Sequence, residues 1–275
     1  MIPAGFDYVR AESAEEAIAL IGEHGDEAKF LAGGHSLLPL MKLRLAQPSV
    51  LVDIGRLTDL SYIRDAGDHV AIGAMTRHMD VETSPLLHEH VPLLAHAAGH
   101  VGDPQVRHRG TIGGSIAHAD SASDLPAVTL ALGATYVAQG PNGTREIAAT
   151  EFYEGFLTSA LAADEILTEI RVPKMNGAGW NFQKFNRRAQ DWAIVGVAAW
   201  RSNGNSGVAL VNMGSVPILA TSVTAALSGG ASIAEAAEQA AAEADPQPDL
   251  NASAEYRVHL AKVLTRRALE ASSSS

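Results

Sequence analysis

The chain has 275 residues, no cysteine and a formal net charge of −11, from 20 basic and 31 acidic side chains. Hydrophobic residues make up 47% and charged residues 19%, which is ordinary for a globular protein and excludes a disordered or collagen-like one. The absence of cysteine excludes disulfides, thiol nucleophiles and a cysteine-ligated iron–sulfur cluster, and the acidic balance argues against nucleic acid or anionic membrane as partners.

At about 150 residues per domain the length predicts roughly two domains. The start, MIPAGFDYVR, lacks the apolar run of a signal peptide. The longest uncharged stretch, 202–234, is interrupted by asparagines, Pro217 and glycines, so no integral membrane segment is expected. A cytoplasmic location is expected. The serines at 272–275 are expected to fray.

Ser13-Ala14-Glu15-Glu16 has the form of a capping box, and Ala17, Leu20 and Ile21 give the helix after it one apolar face. A strand at 29–32, a Gly33-Gly34 turn, a helix from Ser36 and a strand at 50–53 follow. Residues 62–63 and 69–74 read as paired strands across a turn, and 86–98 as one helix. The stretch 102–124 is rich in Gly, Ser, His and Asp without a clean period, and long irregular segments of this kind are usually functional. Residues 125–132 read as a helix, and 136–138 and 166–172 as strands. Asn176-Gly177-Ala178-Gly179 marks a linker. Beyond it come antiparallel strands at 181–185, 193–200 and 208–213, then helices at 219–227, 233–243 and 254–270. The expected division is 1–56, 57–176 and 177–275.

Two glycine motifs carry the chemistry. Ala32-Gly33-Gly34-His35-Ser36 joins a strand to a helix. Paired glycines let backbone amides approach an anion, and a helix start favours negative charge. Thr111-Ile112-Gly113-Gly114-Ser115 repeats the logic with two hydroxyl side chains. Either motif alone also fits a tight turn. Two of them, about eighty residues apart, point to one diphosphate held from two sides. No GxGxxG is present, which disfavours a Rossmann site.

These stretches, AGGHSLLPLMKLRLA from Ala32, TIGGSIAHADSASDLPA from Thr111 and LVNMGSVP from Leu210, resemble the FAD-binding medium subunit of molybdenum hydroxylases, in particular the carbon monoxide dehydrogenase medium-subunit type. The resemblance runs from Pro3 to about Glu270. It implies an α+β fold: two α+β subdomains of the PCMH/VAO type clasping FAD, then a C-terminal α/β domain with an antiparallel sheet and helices. It implies that Ala32, Gly33, Gly34, His35 and Ser36, with Thr111, Ile112, Gly113, Gly114 and Ser115, hold the pyrophosphate. It implies that Asp124 binds FAD hydroxyl groups, that Leu167 lies against flavin or adenine, and that Lys184 lies near the flavin ring. Val101 and His118 complete the implied contacts. Binding is implied to be non-covalent rather than through a histidyl link at His35 or His118. Ser115 stands where the family pattern has Asn or Asp, which shortens the reach of that contact.

Other constellations have two readings. His96 and His100, with Asp103 and His108 close behind, have spacing that can bind zinc, or are surface and interface histidines. His118, Asp120, Ser121, Ser123 and Asp124 form an acid–base set, or cap a loop. Lys184, Arg187 and Arg188 either stabilise a reduced flavin or form ion pairs at a strand end. Trp192 either covers a flavin face or packs in the core.

The resemblance implies two partners: a small iron–sulfur subunit and a large molybdenum-cofactor subunit, in a complex doubled about a two-fold axis. The rivals are a stand-alone flavin oxidase and a flavin-free scaffold.

Overall fold

The structure, a computed structural model, describes residues 1–272. The first unit is a parallel sheet of β1 (Asp7–Arg10), β3 (Val50–Asp53) and β2 (Ala28–Leu31), in the order β1-β3-β2. Parallel neighbours need a crossover, here α2 (Leu37–Lys42). The helix α1 (Ala14–His24) starts at the predicted cap, but only half of the capping box forms: Ser13 Oγ accepts from the Glu16 amide at 3.1 Å, while the Glu16 carboxylate accepts from the Glu12 amide at 2.7 Å instead of reaching the Ser13 amide. Its Ala17, Ile18 and Ile21 pack onto Val50 and Val52.

The middle unit is a five-stranded antiparallel sheet, β4 (Ile63–Asp65), β5 (His69–Gly73), β10 (Ile166–Pro173), β6 (Thr135–Gly140) and β7 (Gly143–Ala148), in that order. Its helices are α3 (His78–Thr83), α4 (Pro85–His90), α5 (Pro92–Ala98), α6 (Pro104–Arg107), α7 (Ile112–His118), α8 (Asp124–Ala131) and α9 (Ala149–Phe152); a small hairpin pairs β8 (Tyr153–Gly155) with β9 (Thr158–Ser159). The core strand β10 is buried almost throughout. Ile166 joins the core of the first unit, while Leu167 joins the main core.

The third unit is an antiparallel sheet in the order β11 (Gly179–Phe185), β12 (Val195–Ser202), β13 (Asn205–Val211), β14 (Ile218–Leu219). The helices α10 (Thr221–Ser228), α11 (Ile233–Ala237) and α12 (Ala254–Ala271) bury a second core against it. The fully buried helix α8 ties this sheet to the middle unit. Trp200 Nε1 donates to the Ala131 carbonyl at 2.6 Å, and Gly207 faces both groups because a Cβ there would collide with them.

Four further expectations change. The helix expected at 86–98 is two helices broken at Pro92, which has no amide to donate and starts α5 instead. The irregular stretch 102–124 contains α6 and α7. The helix expected at 233–243 ends at Ala237. Ser272 is not frayed: it is buried, its amide donates to the Ala268 carbonyl at 2.9 Å, and it closes α12. The rest of the expected tail, 273–275, lies outside the described residues.

Candidate functional site

A cavity of about 590 Å3 lies where the three units meet. That is within the usual range for cofactor and ligand sites. Its walls include Ala32, Gly33, Gly34, His35 and Ser36 from the β2–α2 loop, Thr111, Gly113, Gly114, Ser115 and His118 from α7 and its start, Val101 after α5, Asp124 at the start of α8, Leu167 on β10, Lys184 on β11 and Trp192 from the β11–β12 loop. Ile112 is set apart from these. It is fully buried in the main core, does not line the cavity, and gives its amide to the Thr76 carbonyl at 3.0 Å.

The two glycine loops touch. A Cβ on Gly33 would strike the Arg109 carbonyl and come within 2.8 Å of the Gly110 Cα, so only glycine allows this approach. Gly34 adopts φ +77°, a left-handed conformation that side chains disfavour. Among the described residues, the amides of residues 33–37 make no hydrogen bond to protein. Five unspent N–H groups in one turn are a built cradle for an anion.

The second loop is different. It is the first turn of a helix, with Thr111 as its cap: Thr111 Oγ1 accepts from the Gly114 amide at 3.1 Å. The Gly113 amide donates to the Ala74 carbonyl at 2.9 Å and the Ser115 amide to the Thr111 carbonyl at 3.0 Å. The amides of residues 112–115 are therefore spent within the protein. What the loop presents to the cavity is hydroxyl groups and a thin wall.

Also on the cavity wall, Lys184 Nζ donates to Asp124 Oδ2 at 2.6 Å and to the His100 carbonyl at 2.8 Å. Both side chains of the ion pair are at most 6% exposed. Burial pushes the Asp124 carboxyl up, and Lys184 opposes that shift. Asp124 Oδ1 is buried with no partner in the protein. Buried acceptors are normally satisfied, so this oxygen fits a hydroxyl group supplied by a ligand. Lys184 has spent two of its three protons and keeps one to give.

Trp192 is 56% exposed, which overturns its reading as a core residue. Arg187 and Arg188 do not line the cavity. Both are exposed and face Asp191, Arg188 at 3.0 Å, which is the ion-pair alternative. His100 lies beyond the end of α5, with its ring 4.6 Å from that of His96, and the two rings pack beside Trp180 and Phe182. No group of three or more metal-ligating side chains forms among the described residues. Asp120 caps its own loop through the Ala122 amide at 2.9 Å, while Asp124 is committed to Lys184. The wall also includes Met75, His78, Ile166 and Gln190, which sequence reasoning did not select. No local sequence signal marks them; they arrive through tertiary packing.

Two family profiles match in sequence order. The one described as the FAD-binding domain in molybdopterin dehydrogenase covers residues 4–175, and the CO dehydrogenase flavoprotein C-terminal domain covers 180–272. The chain belongs to the FAD-binding family of molybdopterin dehydrogenases. It is 43% identical to the carbon monoxide dehydrogenase medium chain of Hydrogenophaga pseudoflava over 98% of both chains. It is 39% identical to the 6-hydroxypseudooxynicotine dehydrogenase complex subunit alpha of Paenarthrobacter nicotinovorans, over 98% of this chain and 95% of that one. The solved carbon monoxide dehydrogenase from Hydrogenophaga pseudoflava that lacks the Mo-pyranopterin moiety superposes with a TM-score of 0.96 at 44% identity, covering 99% of this chain and 98% of that chain. The family is one of oxidoreductase flavoproteins, and its cofactor is FAD. The free amides, the orphaned Asp124 oxygen and the size of the cavity suit that cofactor.

Proposed function

We propose that this chain is the FAD-carrying electron-transfer subunit of a molybdenum hydroxylase complex of the carbon monoxide dehydrogenase type. It stands between an iron–sulfur subunit and an external electron acceptor. A large molybdenum-cofactor subunit carries the substrate chemistry, and the assembly is a dimer of heterotrimers. The observation that carries this reading is the cavity itself: an anion cradle together with a buried acceptor and a cation on its walls, in a chain with no cysteine to ligate iron. Bound FAD supplies the ability to accept electrons singly or in pairs.

The residues divide the work of holding it. The amides of the first loop take the diphosphate, aided by the Thr111 and Ser115 hydroxyls. Asp124 accepts from a cofactor hydroxyl, and Lys184 keeps positive charge at the cavity wall. Leu167 and Val101 give apolar cover, His35 and His118 flank the loops, and Trp192 screens the exposed side. Residues 1–56 and 57–176 act as the two FAD-binding subdomains and 177–275 as the C-terminal domain, a division that the three larger sheets support.

Purification of the chain with its natural neighbours tests the reading. Iron, molybdenum and non-covalent FAD are expected in the complex, and the chain separated from it is expected to hold no centre that carbon monoxide, purines or aldehydes can reduce. Turnover of such a substrate by the separated chain with a dye acceptor would replace this reading with a stand-alone oxidase. Trp192→Ala is expected to change flavin absorbance and reoxidation rate while leaving FAD content largely intact.

A further inference from the structure

One polar group at the junction of the glycine loops has no role in the site described above. His78 opens α3, and its amide donates to the Gly110 carbonyl at 3.0 Å. Its imidazole lines the cavity but is only 4% exposed. One ring edge lies on Gly110, where Cδ2 and Nε2 stand 2.7 and 3.0 Å from the place a Cβ would occupy. Nδ1 is buried with no hydrogen-bond partner.

The charged surroundings of the ring are basic. His35 faces it from the first loop, Arg77 from the adjoining residue and Arg107 from α6, while Arg109 stands beside His35 and Arg77; the carboxylate of Asp103 bears on His35, and those of Asp80 and Asp53 on Arg77, in the opposite sense. Arg107 is paired with Glu82 at 2.7 Å, and Arg77 donates to the Arg109 carbonyl. Burial and these neighbours pull His78 down to about 4, so the ring is neutral at physiological pH. A neutral imidazole has one N–H to give. A concentration of basic groups in a chain of net charge −11 suits an anion with acceptor oxygens.

We propose that His78 is a further cofactor-binding residue, donating a hydrogen bond to the diphosphate of FAD where the two glycine loops meet. This rests on the reading of the cavity as the FAD site, and it adds a side-chain donor to the backbone cradle.

The test titrates cofactor-stripped protein, kept with the subunits it purifies with, using FAD and separately ADP, which shares the diphosphate. His78→Phe keeps the ring volume and removes both nitrogens. FAD and ADP are expected to weaken by one common factor of about tenfold or more, the loss typical of a hydrogen bond to a charged group. Without cofactor, at pH 7 or above, the melting temperature is expected to hold or rise. His78→Gln, which retains an N–H donor, is expected to recover much of the affinity. If the phenyl ring is not accommodated, His78→Leu makes the same comparison. Unchanged affinities, a loss confined to FAD, or a loss that glutamine does not recover would each overturn the assignment of His78 alone. Failure of the unaltered protein to take up either FAD or ADP would overturn the cavity reading as well.

Discussion

The two glycine loops look alike as sequence and differ as physics. Ala32-Gly33-Gly34 leaves its amides unspent, bends through a left-handed residue and presses Gly33 onto the Arg109–Gly110 backbone. In Thr111-Ile112-Gly113-Gly114, a capped helical turn, the amides of Ile112, Gly113 and Gly114 are all used. Its first glycine serves packing: a Cβ at Gly113 would sit 2.5 Å from the Ala74 Cβ and 2.6 Å from the Ala74 carbonyl. A pair of glycines therefore specifies close approach, and the neighbours decide what approaches. In the first loop the amides remain available to an anion. In the second, a helix is brought against a strand end, and only Gly114 is left facing the other loop.

The largest effect is expected at Gly113. Gly113→Val forces a branched side chain into Ala74 and should cost about 3 kcal/mol or more of stability, even without cofactor. Urea unfolding of the stripped protein checks it. A stable variant that merely loses FAD would erase the distinction between the loops.

A similar magnitude is expected from acid. The folded-state value of His78, about 4, lies below its ordinary 6.5. The unfolded chain therefore binds the extra proton first, and stability falls as pH drops from 6.5 toward 4, by about 3 kcal/mol in all. His78→Phe should flatten that part of the stability–pH curve. An unaltered slope would show that the second loop is not braced by a neutral histidine.

Gly33→Ala and Gly114→Ala sharpen the contrast in the cofactor. At Gly33 the added methyl meets backbone and should part the loops, lowering FAD affinity about a hundredfold, or close to 3 kcal/mol. At Gly114 it meets only Thr111 Oγ1 at 2.7 Å and Ala32 Cβ at 4.0 Å, so the fold should hold and the loss of affinity should be smaller. Titration with FAD ranks the two, and the reverse order would contradict the cradle assigned to the first loop.

The smallest effect belongs to the helix cap. Thr111→Ala should cost about 1 kcal/mol, and Thr111→Ser should restore most of it. Thermal unfolding of the three proteins side by side measures this.

Much of the fold was legible because burial leaves a pattern. The run Val50-Leu51-Val52 and the antiparallel strands β12 and β13 are apolar where they are covered. The strands β1 and β7 were not legible, since nearly all their residues face solvent and carry no alternation. The helix α7 was hidden because glycine disfavours helix, and its cap and the Ala74 contact outweigh that preference only in the folded chain. In the site, the glycine motifs were visible by spacing. The roles of Asp124 and Lys184 were not, because sixty residues separate two groups that meet at 2.6 Å. Family resemblance supplied those residues, and it passed over His78, whose surroundings are assembled from the first loop, α3 and α6.

The walls of the cavity come from all three sheets, and this has a consequence for how the molecule melts. Loop 32–36 follows β2, Leu167 belongs to β10 and Lys184 to β11. A ligand that touches all three binds only when all three are folded and docked, so its binding energy is lost in full when any one of them opens. At a thousand times its dissociation constant, a cofactor adds about 4 kcal/mol to the native state. Filled with FAD, the chain is expected to unfold as one cooperative block; stripped of it, the units are coupled only by the packing between them, such as α8 against the third sheet, and the transition broadens.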